Sequence, residues 1–569
     1  MRSVLLSFFA RGGAAEFFAR YAYWRLALTL VPHLFALVLM LMTESTVTAM
    51  IAFLFAWGYL NFAWLAVIRR PAAAAAVSLV MMSVLMLLSQ LKYHVLMMTA
   101  NFVDLMIVDT DTVTFLFTIF PALRWIVALC ALALVPIVLV VWRYDPLRVQ
   151  RITAQALALG CVGGLAALEK QFPMDPADAW YGGNHVSYFA RSGVDAVSEF
   201  MTHGFMESEA AVAERLKTVS STPCRPAKTP PHIILVHDES SFDIRKAAGI
   251  KVPPGYGTHF LSFDGKERDF LVESSGGPSW YTEYNVLEGL SARSFGRFAY
   301  FVTRIAAGRV KRGLPDALRR CGYRTFSLYP ALGAFMSARS FQATTGVQRF
   351  FDQHDLGTRQ IEPDSFFYDA ATRMIEHEHT RGQMFVFVYL AANHFPWDFR
   401  YREDLTPQWQ APGNGQLVDE YLRRQALSAQ DYAAFRARLK RQFPGESFLL
   451  VRFGDHQPDF ASTLIEPNLD ESSVARRLMA YDPRYFTTYY AIDAINFTPA
   501  DISSALDTLE GPYLPLVVQE AAGLPLDPSF AEQKRILARC KGLFYACAGG
   551  AEARHFNRML IDAGLITNL

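Results

Sequence analysis

Acidic and imidazole side chains follow several apolar segments in the last two thirds of the chain. Glu239 comes directly after HIILVHD, Asp455 and His456 follow SFLLVRFG, and His394 follows MFVFVYLA. A single residue of this kind is usually a helix cap or a structural histidine, but the recurrence favours a shared site. Two carboxylates and one imidazole suit Zn²⁺, Mn²⁺ or Mg²⁺ and leave a position open for an oxygen nucleophile. The sequence therefore predicts a divalent metal site at Glu239, Asp455 and His456.

Ser279 is the candidate nucleophile of this site. It follows a Gly-Gly-Pro turn at 276–278 and precedes TEYNVLEGL, which has a helical pattern. A hydroxyl at a helix N-terminus is well placed to carry a phosphate, and a metal ion overcomes its weak acidity. The alternative is a helix N-cap without chemistry. The neighbouring candidate ligands favour the nucleophile.

The segments that would position these residues are short, apolar and rich in β-forming residues, and helical patterns separate them. Unbroken apolar strands between helices predict an α/β domain with a mostly parallel sheet covered on both faces. In such sheets the site lies beyond the carboxyl ends of the strands. The predicted strands are HIILVHD from 232, DFLVESS from 269, YRTFSLYP from 323, MFVFVYLA from 384 and SFLLVRFGD from 447.

The N-terminal third predicts an α-helical transmembrane domain. Hydrophobic residues make up 52% of the chain, more than a soluble protein of this length usually carries. About five runs are long enough to cross the bilayer, at residues 24–42, 47–68, 72–91, 125–142 and 152–168. A polar connector with a Pro-rich end then leads to the α/β domain. We therefore expect a transmembrane domain at 1–169, a connector at 170–230 and a catalytic domain at 231–569.

Basic residues predict the orientation of this domain. They cluster before the first run, after the second and after the fourth, whereas the opposite loops carry Asp104, Asp109 and Asp111. The positive-inside rule then places the N-terminus in the cytoplasm, and an odd number of spans places the α/β domain outside. The apolar segment that contains the three aspartates is expected at the outer interface, as a packed loop or as a guide for lipid.

Overall charge and cysteine content narrow the function further. The net charge is +1, which disfavours binding to nucleic acid. Cysteine is sparse in the predicted soluble part, too sparse to indicate a disulfide framework. Cys540 and Cys547 are close enough in sequence to pair or to remain free.

With these motifs assembled, residues 231–521 resemble the alkaline-phosphatase/sulfatase superfamily, and within it the lipoteichoic acid synthases and periplasmic phosphoglycerol transferases. The similar segments are HDESSF, GGPSWYTEYNVLEGL, FMSARSFQATTGVQRFFD, ANHFPWDF and FGDHQPDF. Pro278 and Ser279 stand where the family usually has Lys and Thr. The resemblance implies a metal held by Glu239, Asp455 and His456 together with Ser279.

The resemblance also implies a two-step transfer at a bacterial inner membrane, with the catalytic domain periplasmic or extracellular. Ser279 would attack a phospholipid donor, phosphatidylglycerol, and release diacylglycerol. A hydroxyl of a glycan or glycolipid acceptor would then take the phosphoglycerol group. Arg339 and His394 would balance the charge on the phosphoryl oxygens.

Two other enzymatic functions compete with this one. Phosphoethanolamine transfer to lipid A or an exported polysaccharide uses the same fold and chemistry, although the Asn-His-Phe-Pro and Gly-Asp-His strings favour phosphoglycerol. A sulfatase would need Cys or Ser in the pattern C/S-x-P-x-R, and the nearest string, CRPAK at Cys224, lacks the final Arg. A scaffold without activity is the third alternative and requires an incomplete metal site.

Overall fold

The structure is a computed structural model and describes residues 13–569 apart from 97, 109, 120, 146, 176–177, 179–181, 211–215 and 217–223. The chain forms two compact units. Among the described residues, the first unit lies within 13–108 and 116–202, and the second lies within 110–115 and 203–569.

The first unit is helical. Pro71 is the first residue of the third helix. Proline is well tolerated there, because the N–H groups of the first helical turn have no partner within the helix. The helices described within residues 13–203 are α1 Gly13–Thr43, α2 Val47–Ile68, α3 Pro71–Leu96, α4 Phe102–Met106, α5 Thr110–Ile119, α6 Ala122–Tyr144, α7 Arg151–Gln171 and α8 His185–His203.

Within the described residues, three helices are long and apolar enough to cross a membrane, namely Val47–Ile68, Pro71–His94 and Arg151–Gln171. A fourth span results if α5 and α6, which meet at a bend of 114°, count as one. The five predicted runs all fall in helices. The run at 24–42 lies in α1, whose described apolar part is the shorter helix Ala27–Thr43.

The second unit is built on an eight-stranded sheet with the strand order β4-β3-β5-β1-β6-β7-β2-β8. The five strands from β4 to β6 run parallel, and β7 is antiparallel to both β6 and β2. The strands are β1 His232–Asp238, β2 Asp269–Leu271, β3 Arg324–Leu328, β4 Arg349–Phe351, β5 Met384–Tyr389, β6 Phe448–Gly454, β7 Thr487–Ile495 and β8 Thr508–Glu510.

Helices cover this sheet, which confirms the predicted α/β class. They are α9 Ser279–Glu288, α10 Val302–Ala306, α11 Leu314–Arg320, α12 Ala338–Thr345, α13 Asp364–Glu378, α14 Gln416–Gln442, α15 Ala461–Ile465, α16 Glu471–Met479, α17 Pro483–Phe486, α18 Leu514–Ala521, α19 Pro528–Cys540 and α20 Ala551–Asp562. Phe367 of α13 and Phe435 of α14 pack on Ile234, Val386 and Leu450 of three neighbouring strands. Burial of such side chains supplies about 1.5–3 kcal/mol each.

All five predicted strands are present, and three further strands join them. The largest of these, β7, is nine residues long and almost wholly buried between β6 and β2. Its sequence TTYYAIDAI is rich in Thr, Tyr and Ile, which favour strands.

Two disulfides join the cysteines of the second unit, so the expectation that they are too sparse to form a framework is wrong. Cys540 pairs with Cys547, as their short separation allowed, and Cys224 pairs with Cys321. The second bond ties the end of the connector to the residue that follows α11.

Candidate metal and nucleophile site

The register of two central strands brings Glu239 and Asp455 together. β1 and β6 are parallel neighbours in which Asp238 is paired with Gly454, so the next residue on each strand lies at the same edge. At the end of β6, a Cβ on residue 454 would lie 1.8 Å from the carbonyl oxygen of Ser241, in the segment that follows β1. Only glycine fits at position 454. Asp455 is then fixed by the backbone N–H of Ser240, which donates to its Oδ1 at 2.7 Å.

Ser279 is the first residue of α9, as its position in the sequence predicted, and it is buried. The preceding turn has Gly276 at a φ of +71°, and its N–H donates to the carbonyl of Gln457 at 3.0 Å. One turn into the helix, the hydroxyl of Thr282 donates to the carbonyl of Asp455 at 2.6 Å. The start of α9 is therefore joined by two hydrogen bonds to the loop that carries Asp455 and His456.

The candidate ligands converge within a few ångströms. Ser279 Oγ lies 3.2 Å from Glu239 Oε2 and 3.2 Å from His456 Nε2. The same imidazole nitrogen lies 3.5 Å from Glu239 Oε1 and 3.5 Å from Asp455 Oδ2. All four sequence-predicted ligands thus meet in one cluster, and all four are buried.

The cluster is strongly coupled electrostatically. Burial alone would lower the pKa of His456, but the carboxylates of Asp455 and Glu239 outweigh it and raise that pKa to about 9. Burial alone would raise the pKa of Asp455, but His456 and His237 hold it well below its usual range. The carboxylates therefore favour a positive charge at this point, which a bound metal ion would supply in place of the His456 proton.

The donor set fits a small divalent ion. Ligands about 2.0–2.2 Å from a tetrahedral ion lie roughly 3.3–3.6 Å from one another, and the separations within the cluster are 3.2 to 3.5 Å. Asp455 Oδ2 is buried and has no hydrogen-bond partner among the described residues. A buried carboxylate oxygen without a partner is costly, and a cation would satisfy it.

His237 also reaches the cluster, and the sequence analysis did not assign it. It lies two residues before Glu239 on β1, and its Nε2 is 3.0 Å from Asp455 Oδ2. His237, Glu239 and Asp455 each offer one ligand atom within 4.8 Å of the others. The signal was available, because residues i and i+2 of a strand point to the same face.

His394 lies on the loop after β5 and is half-buried, with its ring stacked on Phe395. Its loop is linked to the cluster through Asn393, whose amide donates to the carbonyl of Ser240 at 3.5 Å. The buried Arg424 donates to the carbonyls of His394 and Pro396 at 2.7 and 2.8 Å and fixes the loop. Among the described residues, His394 makes no hydrogen bond or ion pair with the four ligands; its ring nitrogen Nδ1 lies 2.8 Å from the carbonyl of Phe395.

Arg339 is the second residue of α12, and its side chain is exposed. Its Nη2 lies 2.8 Å from both Asp352 Oδ2 and Asp355 Oδ2, and the guanidinium stacks on Phe350. Within the described part of the chain, its side-chain hydrogen bonds and ion pairs go to Phe350, Asp352 and Asp355 and not to the cluster. Its role toward phosphate stays a prediction.

Residues 276–488 match the Sulfatase family profile. This stretch is less than half of the chain, but it contains Ser279, Asp455 and His456. No curated protein sequence matches the chain significantly.

Several solved structures are similar in fold. The lipoteichoic acid synthase LtaP from Listeria monocytogenes is 16% identical, with 55% of this chain and 77% of that chain covered and a TM-score of 0.41. The phosphoglycerol transferase GacH from Streptococcus pyogenes is 14% identical, with 61% and 86% covered and a TM-score of 0.45. The lipooligosaccharide phosphoethanolamine transferase EptA from Neisseria meningitidis is 13% identical, with 83% and 95% covered and a TM-score of 0.41.

The family match and the converging ligands point to the same domain. The match begins at the turn before Ser279 and includes the Asp-His pair, and Glu239 joins them from β1. The chain therefore combines apolar N-terminal helices with an α/β domain in which residues 276–488 match the Sulfatase family.

Proposed function

We propose that the chain is a membrane-bound transferase that moves a phosphoglycerol head group from phosphatidylglycerol to a hydroxyl of an extracytoplasmic glycan or glycolipid. The observation that carries the proposal is the position of Ser279, whose Oγ lies 3.2 Å from both Glu239 and His456. A serine hydroxyl held among candidate metal ligands is positioned for nucleophilic attack on phosphorus.

In the first step the Ser279 oxygen forms a bond to phosphorus and the bond from phosphorus to the diacylglycerol oxygen breaks. The serine hydroxyl gives its proton to water, and the released alkoxide takes one proton from water to become diacylglycerol. In the second step an acceptor hydroxyl oxygen attacks phosphorus and gives its proton to water, the serine ester breaks, and the Ser279 oxygen takes one proton back. Glu239, Asp455, His456 and Ser279 would hold a Zn²⁺, Mn²⁺ or Mg²⁺ ion, which lowers the pKa of the hydroxyl and neutralises developing charge.

The remaining predicted residues have roles outside this cluster. His394 would donate a hydrogen bond to a phosphoryl oxygen, on a loop fixed by Arg424. Arg339 would do so after exchanging its carboxylate partners for phosphate. Two disulfides in the second unit support placement of this domain in an oxidising compartment, the bacterial periplasm or exterior.

The test is an incubation of the purified full chain with defined lipids. Mass analysis should identify diacylglycerol released from phosphatidylglycerol and a phosphoglycerol group on an added glycan acceptor. Release from phosphatidylethanolamine alone would replace phosphoglycerol by phosphoethanolamine as the group transferred. Release from neither lipid, by a chain that holds its metal, would overturn the proposal.

A further inference from the structure

His237 is a buried histidine whose ring nitrogens have no hydrogen-bond partner among the described residues. It is 0% exposed. Its Nε2 lies 3.0 Å from Asp455 Oδ2, but the two groups do not have hydrogen-bond geometry, and that oxygen also lacks a partner. Leaving a buried donor and a buried acceptor unmatched is unfavourable. A third atom between them would satisfy both.

Aromatic rings hold the imidazole in this orientation. Tyr389 stacks on it with ring centroids 3.7 Å apart and an interplanar angle of 15°. Phe453 and Phe387 contact it edge-on at 5.0 and 6.1 Å. These three neighbours pack on the imidazole but do not hydrogen-bond to it in the structure. A structural core histidine would instead pair at least one of its nitrogens.

We propose that His237 is a direct ligand of the metal, in addition to the four residues assigned above, and that it makes the site selective for Zn²⁺. The donor set then comprises two imidazoles, two carboxylates and one serine oxygen. Imidazole suits Zn²⁺, whereas all-oxygen sets suit Mn²⁺ and Mg²⁺. The inference rests on the proposed function only in sharing its metal centre.

The test is to count imidazole ligands on zinc bound to the full-length, detergent-solubilised chain by X-ray absorption spectroscopy. The wild type should show two, from His237 and His456. His237→Gln should show one, because glutamine cannot supply a nitrogen ligand there. His394→Gln is the matched control and should keep two, since His394 lies outside the cluster.

A second measurement addresses selectivity. The ratio of Zn²⁺ to Mn²⁺ affinity, obtained by competition with a chelator, should fall by about tenfold or more in His237→Asp. Loss of an outer hydrogen-bonding residue can also weaken metal binding by about 10- to 100-fold. If His237 were such an outer residue, its replacement would weaken the binding of Zn²⁺ and Mn²⁺ equally, and the zinc would still have two imidazole ligands.

One imidazole in the wild type would overturn the proposal without requiring any variant to fold. Two imidazoles in His237→Gln would also overturn it. These outcomes are separate from failure of the proposed function. If the wild type has two imidazole ligands but transfers no head group, His237 remains a ligand and the proposed transferase function is wrong. If it transfers the head group with one imidazole ligand, the function stands and His237 is not a ligand.

Discussion

Ser279 Oγ and His456 Nε2 lie 3.2 Å apart, although 177 residues separate them in sequence. The contact joins the first residue of α9 to the loop after β6. It depends on the Gly276 turn and on Thr282, which anchor the helix to that loop. The position of Ser279 is therefore set by hydrogen bonds on both sides of it, from the Gly276 N–H and from the Thr282 hydroxyl to the loop after β6.

Ser279→Ala should abolish transfer, whereas Ser279→Thr should keep part of it because a hydroxyl remains. Removing this buried hydroxyl should cost only about 0.5–1.5 kcal/mol of folding stability. Intact-mass measurement of the wild type mixed with donor lipid alone should show one added head group on the peptide that contains Ser279.

Fragmentation of that peptide provides the control, because Thr282 lies on it too. The Thr282 hydroxyl is fully buried and already donates to Asp455, so it should carry no adduct. An adduct on Thr282, or full activity of Ser279→Ala, would contradict the covalent mechanism.

Removal of the metal should destabilise the wild type. Ligand binding to the folded state raises its stability by RT ln(1 + [L]/Kd), about 2.7 kcal/mol at 100 times Kd. Thermal unfolding should therefore occur at lower temperature after chelation and recover on adding metal. Glu239→Ala, Asp455→Ala and His456→Ala should lack transfer and show little response to chelation. A wild type whose unfolding temperature ignores chelator would argue against a metal site.

Arg424→Met should release the His394 loop. Arg424 is buried, and it donates to two loop carbonyls and to Glu420 Oε1 at 2.8 Å. Losing these charged hydrogen bonds should cost roughly 3 kcal/mol and, by misplacing the loop, lower transfer on the order of 100-fold. The stability and the transfer activity of Arg424→Lys should lie between those of the wild type and those of Arg424→Met.

The matched control for this change is Arg402→Ala. Arg402 pairs with Asp404 at the surface, so its loss should change neither stability nor transfer noticeably. Equal effects of the two arginine variants would refute the role of Arg424 in holding the loop.

Glu510→Gln should remove part of the pH dependence of stability. Burial, followed by the nearby Glu273, raises the pKa of Glu510 from 4.5 to about 7. The folded state therefore binds the proton more tightly than the unfolded state, and the free energy of unfolding falls as pH rises from about 4.5 to about 7. The loss is at most about 3 kcal/mol. Unfolding measured across pH 4.5–8 should show a shallower fall for Glu510→Gln, and an unchanged slope would contradict the shift.

A reporter fused after Leu569 should be active only outside the cytoplasm, as the basic flanks of the apolar runs predict. The readout is a pair of reporters, one active in the cytoplasm and one active outside it. Cytoplasmic activity would show that one predicted span does not cross, and the lipid head-group proposal would fall with it.

Sequence reasoning located Glu239, Ser279, Asp455 and His456 because each directly follows an unbroken apolar segment or a glycine turn. The carboxyl ends of parallel strands lie at the same edge of the sheet, so residues that directly follow such strands are close together in space. His237 was missed because it lies inside such a segment, where histidine usually has a packing role.

Other features depend on contacts that only the folded chain creates. Arg424 of α14 donates to the carbonyl of His394, which lies 30 residues earlier in the sequence. No local sequence pattern predicts a contact over this distance. β7 lacked the unbroken aliphatic character of the other strands, since Thr and Tyr fill much of it. Its burial comes from the flanking strands β6 and β2.

The Cys224–Cys321 bond has a consequence for biogenesis. Its two cysteines are 97 residues apart, and β1 and α9 lie between them. On a chain exported from its N-terminal end, Cys224 emerges first and must stay reduced until Cys321 has followed. The thiol is therefore exposed to oxidants and to other exported cysteines throughout translocation of the nucleophile segment. If the domain is exported as proposed, oxidation of this pair should therefore wait until about the first quarter of the domain has crossed.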